Sequence, residues 1–101
     1  MNSIDFHPEA AQEANDAVDY YGEKQIGLGD DFRVELDAAL VRILRNPEMY
    51  AVESGAIRVC SLRRFPYSLY FAVLAGRIWV AAVGHQSRRP GYWGHRATDS
   101  P

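Results

Sequence analysis

The sequence predicts an α+β domain: an N-terminal strand, then an antiparallel helical hairpin packed on a three- to four-stranded, mainly antiparallel sheet. Three observations carry this expectation. Apolar residues recur at helical spacing in two stretches before Pro47 and move towards strand spacing after it. Gly27 and Gly29 interrupt the helical part at its middle, where the chain can reverse. Pro47 ends the helical part, because proline lacks an amide hydrogen and clashes with the preceding turn.

Ser3 to Phe6 reads as a short strand. His7-Pro8-Glu9 then starts a helix: proline suits the first turn, and Glu9 complements the positive end of the helix dipole. This first helix should run from about Pro8 to Lys24 or Gln25. Ala10, Ala14, Val18 and Tyr21 form its apolar face, with Glu9, Glu13, Asp16, Asp19 and Glu23 assigned largely to the solvent side. The second helix should begin near Gly29 or Asp30, with Asp30 or Asp31 as its cap. Phe32, Leu36, Leu40, Ile43 and Leu44 make its apolar stripe.

Three strands should follow as a meander. Ala56 to Arg64 is the first, with Ile57, Val59 and Ser61 on one side and Arg58, Cys60 and Leu62 on the other. Tyr67 to Leu74 is the second. Ala75-Gly76 marks a turn into the third, Arg77 to His85, which is rich in Ile78, Trp79, Val80 and Val83. Neither face alternates cleanly with polar groups. That pattern fits a sheet buried by helices on one side and partly covered on the other.

The length of 101 residues fits one domain. We assign residues 1–96 to it and 97–101 to a short flexible C-terminal tail. One cysteine, Cys60, precludes an internal disulfide, and no Cys/His spacing suggests zinc, so no metal or cofactor is expected. A cytoplasmic location is expected from this cysteine usage and from the absence of a basic, apolar leader in Met1 to Phe6. No apolar run approaches the roughly 18 residues of a membrane span.

A formal charge of −2 conceals an asymmetry. Residues 1–50 carry eleven acidic and four basic side chains, whereas residues 51–101 carry two and seven. The basic half could meet an anionic partner. Regular pleating would place Arg58 and Arg64 on one sheet face, and Arg88 and Arg89 follow the last strand. Together these arginines could hold phosphate oxygens bidentately, or simply form a solvated edge. The proton-transfer candidates in this half are His85, Tyr92, His95 and Glu53, and Lys24 lies apart on the acidic first helix. Tyr92-Trp93 reads as an anchor that folds the tail back onto the domain, its phenol and indole seeking polar partners.

Four stretches carry a family resemblance. Arg63-Arg64-Phe65-Pro66-Tyr67-Ser68-Leu69-Tyr70-Phe71 resembles the R-F-P-Y-x-(I/L)-(Y/F)-(Y/F) segment of RelE/ParE toxins. Val83-Gly84-His85-Gln86-Ser87-Arg88-Arg89-Pro90-Gly91-Tyr92-Trp93 is similar to their V-x-H-x-x-R-x-P-x-Y-W ending. Phe6-His7-Pro8-Glu9-Ala10 with Tyr20-Tyr21 resembles their opening helix, and Pro47 with Tyr50 their inter-element link. The four lie in register over about residues 4–96.

The resemblance implies a RelE/ParE-like fold. It also implies a toxin of a bacterial type II toxin–antitoxin system, acting in growth inhibition and plasmid stabilization and neutralised by a cognate, ParD-like antitoxin in a hetero-oligomer. Its targets divide between DNA gyrase and the ribosome with its mRNA. The ParE-like branch is favoured, because the basic half keeps arginines but has no lysine. A non-enzymatic gyrase poison would use Arg58, Arg64, Arg88, Arg89, Tyr92 and Trp93 as target contacts. The alternative is an mRNA endonuclease with His85, Arg64 and Tyr92 at the reaction centre. A third possibility is an inactive antitoxin-binding module.

Overall fold

The computed structural model describes residues 3–100. β1 (Ser3–Phe6) leads into α1 (Pro8–Lys24), and α2 (Leu28–Arg45) returns alongside it. A short 3-10 turn (Pro47–Met49) precedes β2 (Val52–Ser54), β3 (Ile57–Ser61), β4 (Tyr67–Leu74) and β5 (Arg77–His85). A second 3-10 helix, Gly94–Asp99, ends the chain. The five strands form one mixed sheet in the order β1-β5-β4-β3-β2. β1 runs parallel to β5, pairing Phe6 with Val80, and every other pairing is antiparallel.

The α+β class, the helical hairpin and the meander agree with what the sequence predicts. Four details differ. β2 adds a strand, so the sheet has five. α2 starts at Leu28 behind Gly27, whose φ of 86° makes the turn, and Asp30 and Asp31 sit in the first turn rather than at the cap. β3 stops at Ser61, because Leu62 N–H donates to Tyr67 O and a tight bend follows. Residues Ala97 to Asp99, expected in a flexible tail, belong to the last 3-10 helix, and Asp99 accepts a 2.7 Å hydrogen bond from His7 Nε2.

Two apolar cores lie on opposite faces of the sheet. The larger sits under the hairpin and includes Ala14, Phe32, Leu36, Ile43, Leu69, Phe71 and Val80. The buried positions of α1 are all alanine, so that helix can lie close to β5. Gly29 lets the helices meet: a Cβ there would come within 2.6 Å of the Val18 carbonyl oxygen. The smaller core gathers Ile57, Ala72, Trp79, Ala81, Ala82 and Trp93 beneath the C-terminal segment. The tail therefore forms a third layer.

Candidate functional site

A cleft of about 390 Å³ opens where β4 begins, β5 ends and α1 passes over them. Glu13, Asp16, Ala17 and Tyr20 of α1 line one wall, and Tyr67, Val83, His85 and Arg88 the other. Beside it, three consecutive hydrogen-bonded turns fold the chain back: Arg88 N to His85 O, Tyr92 N to Arg89 O, and Arg96 N to Trp93 O. Gly91, at φ 73°, permits the reversal.

The folded-back segment meets α1 at Glu13. Its Oε1 accepts hydrogen bonds from Val83 N at 2.9 Å and Arg96 Nη1 at 2.9 Å. Its Oε2 accepts from Tyr92 Oη at 2.8 Å and Arg96 Nη2 at 3.1 Å. Arg88 approaches the same oxygen at 3.9 Å. A carboxylate has about four lone-pair sites, and these donors fill them. Arg96 is buried, and Nη1 also donates to Ala81 O at 3.1 Å. Burial works against its charge, but the Glu13 carboxylate overcomes this and holds the guanidinium above its ordinary pKa. Burial, then the bond to Glu13, pushes the Tyr92 phenol far above its ordinary value.

Arg88 stacks on the Tyr92 ring, 3.9 Å from its centroid, in a cation–π contact. His85 Nδ1 accepts the Ser87 backbone N–H at 3.0 Å, which places the neutral ring's proton on Nε2. The imidazole edge also packs on Tyr67, with centroids 5.2 Å apart. His85 is therefore set up as a donor at the cleft.

The expected arginine cluster does not form. Arg58 donates to Tyr50 O at 2.7 Å and Glu48 O at 3.2 Å, tying down the 3-10 turn after α2. Arg64 lies beyond the end of β3, where pleat alternation no longer applies, and pairs with Asp31 at 3.6 Å. Of the predicted residues, His85, Arg88 and Tyr92 come together. Arg89 is exposed beside them. Trp93 is only 3% exposed and packs on Tyr70 at 5.3 Å between centroids, so it anchors the tail and is not displayed to a partner. Glu53 lies on β2, separated from β5 by two strands, and His95 faces Glu9 at 3.5 Å.

Sequence reasoning missed Glu13 and Arg96. Glu13 looked like one of five solvated acids on α1. Arg96 lies three residues past the Tyr92-Trp93 pair, and no spacing in the sequence marks it as buried.

Residues 4–90 match the family described as ParE toxin of type II toxin-antitoxin system, parDE. The chain belongs to the ParE toxin family. Its fold is also similar to a solved chain described as "Chromosomal ParDE TA system from P. aeruginosa", with a TM-score of 0.66 and 19% identity. That likeness covers 82% of this chain and 94% of the other. A search of curated proteins finds no match. In this ParE-family chain the matched span ends at Pro90, so Tyr92, Trp93 and Arg96 lie beyond it. Among the described residues no helix is long and apolar enough to cross a membrane.

Proposed function

We propose that this chain acts as a cytoplasmic toxin that binds and poisons DNA gyrase and is neutralised by a ParD-like antitoxin. Family membership supports the toxin role. The solved relative from P. aeruginosa is described as a ParDE system, which supports an antitoxin partner.

The engagement of Glu13, Tyr92 and His85 Nδ1 leaves none of them free as a base beside the His85 donor, which supports binding over RNA cleavage. Metal-free RNA cleavage needs a base for the 2′-hydroxyl, an acid for the leaving oxygen and positive charge for the transition state. Here Tyr92 donates to Glu13, Glu13 is filled by donors, and His85 Nδ1 holds a backbone N–H. Arg88 and Arg89 are exposed and remain available as target contacts. The antitoxin would cover apolar surface on the helical hairpin or extend the sheet at its open β2 edge.

Purified toxin incubated with gyrase, ATP and supercoiled plasmid should produce linear DNA linked to gyrase. Cut mRNA on translating ribosomes, with no linear plasmid, would instead establish the endonuclease. Normal growth on expression without antitoxin would point to the inactive module.

A further inference from the structure

The sheet face turned away from the helical hairpin carries a cavity of about 310 Å³, enclosed between the strands and the C-terminal 3-10 helix. Its lining includes Ile57, Ala72, Leu74, Trp79, Trp93 and Ala97. Both tryptophans of the chain meet there, each only 3% exposed. The hollow stays open because two of its walls are made of small residues. The turn between β2 and β3 supplies Ser54-Gly55-Ala56. The 3-10 helix and its cap supply Gly94, Ala97 and Ser100, three positions apart, so one face of that helix carries no bulk.

These walls are held in place. Arg96 donates to Glu13 at 2.9 Å, Asp99 accepts from His7 at 2.7 Å, and Trp93 packs on Tyr70 with centroids 5.3 Å apart. The side chains around the hollow therefore cannot simply collapse into it. An apolar space kept open in this way forgoes dispersion contacts that a fitting occupant would restore.

The lining also selects the occupant. The cleft under α1 carries Glu13, Asp16 and Arg88, whereas no ionisable side chain lines this cavity. A charged group would enter it without a partner, at high cost. Rings and aliphatic chains form the floor, and the Ser54 and Ser100 hydroxyls stand at the exposed rim. An engineered apolar cavity of about 150 Å³ holds one benzene ring, so the space here admits two rings.

We propose that this cavity binds a small neutral aromatic alcohol of two fused rings, its rings against the two indoles and its hydroxyl at the serine rim. Trp93 directly follows Tyr92, on whose ring Arg88 stacks. An occupant would thus brace the segment that carries the arginine of the cleft.

Naphthol is the probe. The two indole N–H resonances report on the site directly, because the chain has no other tryptophan. Naphthol should shift both saturably and should raise the melting temperature by mass action. Naphthoate, with the same rings and a carboxylate, should bind at least tenfold more weakly. Ala97→Leu and Ala56→Leu, both at exposed positions of the lining, add bulk to the hollow. Each should weaken naphthol at least tenfold while the melt without ligand is unchanged, and if one misfolds the other decides. Absence of a saturable shift, naphthoate binding as tightly as naphthol, or full naphthol affinity in a folded variant overturns the proposal.

Discussion

The Tyr92 ring lies so close to Gly84 that a Cβ on Gly84 would overlap the Tyr92 hydroxyl and come within 2.9 Å of its Cε1. That contact seats the phenol against Glu13, and Glu13 in turn holds Arg96. A missing side chain on β5 therefore helps fix how the C-terminal layer docks on α1.

Gly84→Ala should displace Tyr92 and loosen the C-terminal layer. Overpacking of this kind costs about 1–3 kcal/mol. Urea unfolding should show a lower midpoint. In the double variant Gly84→Ala/Tyr92→Ala the added methyl should no longer matter, and a full additive loss would count against the contact.

Glu13→Gln removes the nearer counter-charge of the buried Arg96 guanidinium and leaves only the half-exposed Glu9, 3.6 Å from Nε. Breaking a buried pair on one side costs about 3–5 kcal/mol. Replacing both residues, Glu13→Leu with Arg96→Met, should cost less than the sum of the single changes. A double-mutant cycle by denaturant unfolding measures the coupling, and strict additivity would show that the two do not act together.

Alkaline stability should depend on Tyr92. Its pKa is raised above the ordinary 10.0 in the folded chain, burial being the main cause. The folded state keeps this proton where the unfolded state releases it. Its stabilising contribution is therefore complete below pH 10 and is lost as pH climbs from there through the folded value. Tyr92→Phe should flatten that decline, although Tyr21, Tyr50, Tyr67 and Tyr70 are raised too and would leave part of it. Melting temperatures from pH 8 to 11 would reveal an identical slope if Tyr92 had no part.

For target engagement, Arg88→Ala with Arg89→Ala should reduce gyrase-linked linear DNA by tenfold or more, since both side chains are exposed beside the cleft. His85→Ala should change it by no more than a few-fold. A collapse of activity in His85→Ala alone, with its melt intact, would return the imidazole to a chemical role.

The two helices, the meander and the α+β class were written in local order, because helical and strand periodicity need only neighbouring residues. Gly27, Pro47 and Gly76 announced their turns for the same reason. β2 was not legible: three exposed residues with no alternation become a strand only because β3 offers them a partner. The arginine cluster failed because pleating predicts side only while a strand lasts, and β3 ends before Arg64. The bond between Glu13 and Arg96 spans 83 positions, and no spacing rule reaches that far. Whether an acid on a helix faces water or a buried guanidinium is decided by how the last layer packs, and that was set by tertiary contact alone.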